Sequence, residues 1–359
     1  MKNKRPEPKR QETIVLTTAC EIEVIEGLAS FAADEIRTRF GKNVQITVDS
    51  ETAVAFQYVG DLRTLNKLRL AQAAYTVERY AIPRPKALLG DAHWRRFTAQ
   101  LRRILDLLAP NTFQSFSLSA AGTESSVMQR IRQEIGMITG LPEAEKGDLW
   151  IRIRPGADGW ETLVRTQPRP NATRAWRVCN YEASLNATVA HAMALLIAAD
   201  APQSIVNLGC GSGALLIEYR AITTDTTRLI GIDHDPSLLK CARQNIDASG
   251  ANGIELMQGD MKRTPFANAS IDAMLADLPF GQNVGSHEDN VRLYPSLLNE
   301  AARIARPDAS FVCITHEINL IESLLAAQGE WKTENMIPVT LRGLHPRIYV
   351  LRRTTSQST

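Results

Sequence analysis

The stretch Ser204-Ile205-Val206-Asn207-Leu208-Gly209-Cys210-Gly211-Ser212-Gly213 runs from an apolar, β-branched strand into a loop with glycine at every second position. The residues behind it, Ala214 to Ala221, read as a helix. Glycine permits the tight turn and lets the backbone approach a ligand where that helix begins. Twenty residues beyond Gly213, Asp233 closes a second strand (Arg228–Asp233), placed so that its carboxylate can accept both hydroxyls of a ribose. Asp235 and Pro236 supply an N-cap and a first position for the next helix. Asp260 ends a third strand-loop unit (Ile254–Gln258), where an acceptor can meet an adenine amine. Further strands at Ile271–Asp277 and Ser310–Thr315 are interleaved with helices at Pro236–Ala248, Val291–Ile304 and Glu317–Ala327. Trp331–Leu341 and Arg347–Arg352 then follow as two strands with no helix between them. This alternation predicts an α/β fold: a doubly wound, mostly parallel, Rossmann-like sheet with a terminal antiparallel hairpin.

Gly209 to Ala214 also satisfies the dinucleotide fingerprint, which leaves a nicotinamide dehydrogenase nearly level with a methyltransferase on that loop alone. The segment Asp277-Leu278-Pro279-Phe280-Gly281 separates the two, because it follows the fourth strand on the same edge of the sheet. A purine's exocyclic amine is a poor nucleophile, its lone pair being delocalised into the ring. A carboxylate (Asp277) and a carbonyl (Leu278) accepting its two N–H groups let the nitrogen pyramidalise toward a methyl sulfonium. Pro279 stiffens the turn and Phe280 offers a stacking face. The rate then comes from positioning and preorganised electrostatics, and a base inside a duplex must first leave the stack.

The front half is α+β. A first module reads β-α-β-β-α-β, the ferredoxin-like order, over Thr13–Ala19, Ile22–Phe40, Val44–Val48, Thr52–Val59, Leu62–Ala74 and Thr76–Ile82. A second module holds a basic helix (His93–Leu108), a strand (Thr112–Leu118), a helix (Glu124–Ile138) and strands Leu149–Arg154 and Trp160–Thr166. Leu185–Ala199 reads as an amphipathic helix capped by Ser184. The expected boundaries are a flexible basic tail (1–12), the ferredoxin-like module (13–85), the second module (86–168), a linker (169–180), the doubly wound domain (181–353) and a flexible tail (354–359).

Charge follows this division. Residues 1–180 hold 27 lysines and arginines against 20 acidic residues, whereas residues 181–359 hold 14 against 19. A basic front half joined to an acidic one suits a polyanion-binding module attached to a catalytic one. Arg95, Arg96, Arg102 and Arg103 on the basic helix, with Arg152 and Arg154 on one strand face, are the candidate phosphate contacts. The five cysteines (Cys20, Cys179, Cys210, Cys241, Cys313) form no Cys-x-x-Cys pair, so reduced thiols in a cytoplasmic protein are expected. No apolar run is long enough to span a bilayer. His191, His287, His316 and His345 lack metal-ligand spacing, so no metal is expected.

Residues 181 to 353 resemble class I S-adenosylmethionine-dependent methyltransferases with the (Asp/Asn/Ser)-Pro-Pro-(Tyr/Phe/Trp) amine-modifying motif. With the ferredoxin-like module and the second module (86–168), which includes Gly122 to Ile131 and resembles a THUMP domain, the whole is similar to THUMP-containing RNA guanosine N2-methyltransferases. Ala276 to Gly281 and Ser184-Leu185-Asn186-Ala187-Thr188 look most like the TrmN-like branch, which modifies guanosine six of tRNA. Leu278 departs from the motif's first proline but keeps the carbonyl. The resemblance implies S-adenosylmethionine held by Ser184, Thr188, Asn207, Gly209, Gly211, Gly213, Asp233, His234, Asp260, Met261 and Asp277. It implies an amine and base held by Asp277, Leu278, Pro279 and Phe280, and a tRNA acceptor end bound by the THUMP domain. The alternatives are the guanosine-ten branch, an rRNA guanine N2- or DNA adenine N6-methyltransferase, and an RNA-binding protein with an inactive methyltransferase domain.

Overall fold

The computed structural model describes residues 17–122, 125–181, 184–223, 226–281, 286–341 and 343–354. The expected tail at 1–12, Thr13 to Leu16 of the first strand, Thr123 and Glu124, and residues 355–359 lie outside the described residues.

The front half forms one sheet. In chain order it contains β1 (Thr17–Glu23), α1 (Ala29–Phe40), β2 (Val44–Asp49), β3 (Ala53–Val59) and β4 (Ala73–Tyr80). Then come α2 (Asp91–Leu105), β5 (Phe116–Ala120), α3 (Ser126–Thr139), β6 (Leu149–Gly156) and β7 (Gly159–Arg165). The strand order is β2-β3-β1-β4-β7-β6-β5. The antiparallel register Tyr75↔Arg165 to Tyr80↔Trp160 fuses the two front modules across β4 and β7.

The second half contains α4 (Ala187–Ala198), β8 (Ser204–Leu208), α5 (Ala214–Arg220), β9 (Arg228–Asp233), α6 (Pro236–Ser249), β10 (Ile254–Gln258) and β11 (Ile271–Asp277). It continues through α7 (His287–Ile304), β12 (Ala305–Thr315), α8 (Ile318–Ala327), β13 (Trp331–Pro338) and β14 (Arg347–Arg353). The order β10-β9-β8-β11-β12-β14-β13 is the expected doubly wound sheet, parallel except where β14 inserts antiparallel between β12 and β13. Its reversal point lies between β8 and β11, where crevices open at strand C-termini. The order therefore puts the glycine loop and the Asp277 segment side by side.

Four expectations need correction. The first helix spans Ala29–Phe40, not Ile22–Phe40, because Ile22 and Glu23 belong to β1 and pair with Val54 and Ala53. Leu62–Ala74 is not a helix: a 3-10 turn covers Leu62–Lys67 and the chain is extended again before β4. The next helix after the linker starts at Ala187, not Leu185, and its cap is Asn186, whose Oδ1 accepts from Thr188 N at 2.8 Å, not Ser184. Cys179 and Cys241 form a disulfide, with Cα atoms 5.4 Å apart, where five reduced thiols were expected. Their 62-residue separation hid the pairing, which arises because α6 carries Cys241 back to the linker. Cys20, Cys210 and Cys313 are buried and free.

The two halves are packed together. Gln72 Nε2 donates to Thr188 Oγ1 at 2.7 Å, Ala172 N donates to Gln72 O at 3.0 Å, and Thr340 N donates to Glu26 O at 3.3 Å. A Cβ on Gly27 would overlap the Pro338 carbonyl oxygen, so only glycine allows that approach. Among the described residues no helix is long and apolar enough to cross a membrane.

Candidate active site

At the end of β8 the chain passes through Gly209, Gly211 and Gly213 with φ of 72°, 50° and 79°, left-handed values that side chains resist. The loop is braced from the next strand. Asp233 Oδ2 accepts from Gly211 N at 2.8 Å, its Oδ1 accepts from Asp235 N at 3.0 Å, and Cys210 N donates to Ile232 O at 2.8 Å. Asn207 ties β8 to β11, its Nδ2 donating to Leu275 O at 3.1 Å. Its Oδ1 is buried with no partner among the described residues. A buried acceptor left unpaired is unusual.

Two side chains lie against this loop. A Cβ on Gly211 would collide with the Tyr181 hydroxyl, and one on Gly209 would come within 2.9 Å of the Met261 methyl. Burial pushes the Tyr181 hydroxyl's pKa up, and the carboxylates of Asp277 and Asp233 push it the same way. Tyr181 thus places Asp277, Asp233 and the glycine loop in one neighbourhood. Sequence reading took Tyr181 only as the start of a domain.

Asp277 ends β11. Among the described residues no hydrogen bond or ion pair engages its carboxylate, and burial alone pushes it up to about 7. Leu278 N donates to Ile314 O at 3.0 Å, which fixes the turn to β12, and among the described residues nothing donates to the Leu278 carbonyl. Phe280 is half-buried, its ring centroid 6.2 Å from that of His316. A carboxylate and a carbonyl without partners among the described residues, and an aromatic face, therefore follow one strand beside the glycine loop.

The other expected cofactor contacts divide. Asp260 is exposed; its Oδ1 accepts from Lys262 N at 2.9 Å and its Oδ2 lies 3.5 Å from Lys262 Nζ. His234 is exposed, 3.5 Å from Asp233. Ser184 Oγ accepts from Tyr181 N at 3.2 Å and so shapes the approach to the loop. Thr188 is fully buried, and its Oγ1 accepts from Gln72 Nε2 at the junction between the halves. A glycine cradle, an orphaned acceptor on Asn207 and carboxylates at the tips of neighbouring strands together fit a nucleoside-bearing, cationic cofactor.

Most of the candidate phosphate contacts are neutralised within the fold. Arg154 reaches Glu21 at 2.8 and 2.5 Å and Glu161 at 3.0 Å, and Arg152 lies 3.6 Å from Glu23. Arg96 pairs with Glu78 at 2.7 Å and covers the Tyr80 ring, and Arg95 lies 3.7 Å from Asp91. Arg102 and Arg103 form no ion pair among the described residues and line, with Arg95, Thr98 and the acidic Asp106, a surface cavity of about 720 Å³.

Residues 174–347 match the family described as UPF0020, RMKL-like, methyltransferase domain. A relative named tRNA (guanine(6)-N(2))-methyltransferase THUMP3, from Mus musculus, is 30% identical over 185 residues, covering 48% of this chain and 36% of that protein. The chain thus spans about a third of the length of that mammalian relative. A protein named tRNA (guanine(6)-N2)-methyltransferase, from Methanocaldococcus jannaschii, is 23% identical over 383 residues, covering 90% of this chain and 97% of that one. The crystal structure of TrmN from Thermus thermophilus superposes with a TM-score of 0.73 at 21% identity, covering 94% of this chain and 100% of that one. The chain shares that fold.

Proposed function

We propose, from the match of residues 174–347 to the UPF0020, RMKL-like methyltransferase domain, that this chain is an S-adenosylmethionine-dependent tRNA methyltransferase. Its product is N2-methylguanosine, at position six of the acceptor stem. The observation that carries the reading is Asp277, a carboxylate with no partner among the described residues, at the tip of the strand next to the glycine loop. The names of the Mus musculus and Methanocaldococcus jannaschii relatives support the substrate and the position.

S-adenosylmethionine supplies an electrophilic methyl group on a cationic sulfur. The backbone at Gly209, Gly211 and Gly213 gives its nucleoside and amino-acid ends close approach, and Asp233 and Asp260 offer acceptors along the strand tips. Asn207 Oδ1 offers a further buried acceptor. Asp277 and the Leu278 carbonyl accept the two N–H groups of the guanine amine, and Phe280 stacks on the base. The Asp277 carboxylate, held near 7 by burial, is also suited to take the proton that the amine releases once methylated. Withdrawing the amine from water strengthens each of these contacts. The front half supplies the tRNA-binding surface, with Arg102 and Arg103, which form no ion pair among the described residues, as its polyanion contacts. We infer a cytoplasmic location from the tRNA substrate alone, since the Cys179–Cys241 bridge removes the argument from reduced thiols.

The test is transfer of radiolabelled methyl to unmodified tRNA, followed by mass-spectrometric mapping of the nucleoside. Asp277→Ala is expected to lower transfer by at least 100-fold while S-adenosylmethionine binding, measured by calorimetry, changes little. Turnover by that variant at the wild-type rate refutes the assignment.

A further inference from the structure

We propose that Tyr294 and Asn290 of α7 are positioning residues of the amine-binding loop. By donating to the Pro279 carbonyl, they hold the turn in the conformation that leaves the preceding Leu278 carbonyl free for the substrate amine. The inference rests on the function proposed above and deepens it.

Residues four apart on a helix share a face, and Asn290 and Tyr294 present both polar groups to one oxygen. Tyr294 Oη donates to Pro279 O at 2.7 Å, and Asn290 Nδ2 donates to the same oxygen at 3.0 Å. A carbonyl has two acceptor sites, and both are filled here. The Pro279–Phe280 peptide is thereby fixed facing the protein. The peptide before it joins Leu278 to a proline nitrogen, which carries no hydrogen. Its carbonyl has no donor among the described residues. Of two successive carbonyls, one is consumed by the scaffold and the other is left for a ligand.

The proton on Tyr294 is directed. Because Pro279 O can only accept, Tyr294 must donate to it. The 2.6 Å contact between the Tyr294 and Thr315 hydroxyls then requires Thr315 to donate to Tyr294. Thr315 Oγ1 in turn accepts from Glu317 N at 2.9 Å. The chain of donation runs from the Glu317 amide through Thr315 and Tyr294 to Pro279, and it ends under the loop.

Glu317 closes the other side. Its Oε1 accepts from Asn290 Nδ2 at 3.2 Å, and its Oε2 lies 2.9 Å from His287 Nδ1. Its Oε1 also packs against the end of the loop, where a Cβ on Gly281 would collide with it. Tyr294 and Asn290 are both fully buried. They are therefore held away from solvent, and their part is to fix the groups that meet the substrate.

Tyr294→Phe keeps the ring and removes only the donor. It is expected to lower kcat for tRNA methylation by 10- to 100-fold, with KM for tRNA and Kd for S-adenosylmethionine within twofold of wild type. Thr315→Val, which removes the hydroxyl orienting the Tyr294 proton, is expected to reproduce that split, and Thr315→Ser to restore most of the loss. Unchanged kcat in Tyr294→Phe overturns the inference. So does a loss that appears equally in KM and Kd, since that marks general disruption of the domain. If Thr315→Val does not fold, the kinetics of Tyr294→Phe decide. Wild-type protein is assayed first. Absence of methyl transfer by wild type defeats the parent function and this inference with it, whereas wild-type transfer with an unimpaired Tyr294→Phe defeats the inference alone.

Discussion

Glu218 Oε1 accepts from Arg174 Nε at 2.8 Å, and this bond anchors a fully buried carboxylate on α5 to the segment that joins the two halves. Its other oxygen accepts from Arg69 Nε at 2.9 Å and lies 3.0 Å from His191 Nδ1. One carboxylate thus gathers the front sheet, the linker, α4 and α5. Burial alone would push its pKa up, but His191, Arg174 and Arg69 outweigh that and hold it down at about 2.

Removing that charge strands buried cations, so Glu218→Gln should destabilise the protein by about 3–5 kcal/mol. Because the folded pKa is depressed, the stabilisation is fully present above the ordinary glutamate value of 4.5 and is lost as pH falls toward 2. Urea unfolding of wild type and variant should show a constant gap at pH 6 to 8 and a narrowing one below pH 4.5. A gap that ignores pH rules out the ionic account.

Asp277 has the opposite sign. Its folded value of about 7 exceeds its ordinary value of 3.8, so the fold favours the protonated acid. Stability is lost as pH rises from 3.8 through 7, by at most about 4 kcal/mol. Asp277→Asn should therefore raise the melting temperature at pH 8 and leave it unchanged near pH 3.5. The proposed reaction needs the ionised form, so kcat/KM should climb through pH 7 in the free enzyme. A flat profile from pH 6 to 8 contradicts this assignment of Asp277.

The second sheet was readable because β8 to β12 are apolar, β-branched runs punctuated by glycine and acidic residues, and these pair in parallel as that alternation requires. Leu62–Ala74 misled because its leucines recur at helical spacing while its backbone partners come from far away. Glu35 takes the N–H groups of Arg69 and Leu70, and Asn171 Nδ2 takes the carbonyls of Leu65 and Leu68. These contacts replace the helical bonds, and no local pattern announces them. The glycine loop, Asp233 and Asp277 were likewise legible from strand ends. Tyr181, Asn290 and Tyr294 were not, since what they touch is set by the meeting of distant segments.

The Cys179–Cys241 bridge closes a loop of 62 residues next to Tyr181. Asn245 reinforces it: its Oδ1 accepts from Cys179 N at 2.9 Å, and its Nδ2 donates to Cys179 O and Ser212 O. By the chain-entropy account a loop of this length contributes about 4 kcal/mol. Cys241→Ser should cost that much stability in oxidising buffer, and the difference should shrink when both proteins are compared with excess thiol. Non-reducing peptide mapping should recover the cross-linked pair. Recovery of both thiols as free would exclude the bridge.

The front-half arginines separate by what they already touch. Arg154 is held between Glu21 and Glu161 across β1, β6 and β7, so Arg154→Ala should act on stability. It breaks a part-buried network and should lower the unfolding free energy by about 1–3 kcal/mol. Arg102 and Arg103 have no acidic partner among the described residues and face a cavity. Replacing both with alanine should leave the melting temperature within about a degree and weaken tRNA binding, with a shallower dependence of log Kd on log salt. Every phosphate that is no longer neutralised lowers that slope by roughly one. Wild-type affinity and slope in the double variant would move the tRNA surface off α2, and wild-type stability in Arg154→Ala would make Arg154 a candidate for phosphate binding again.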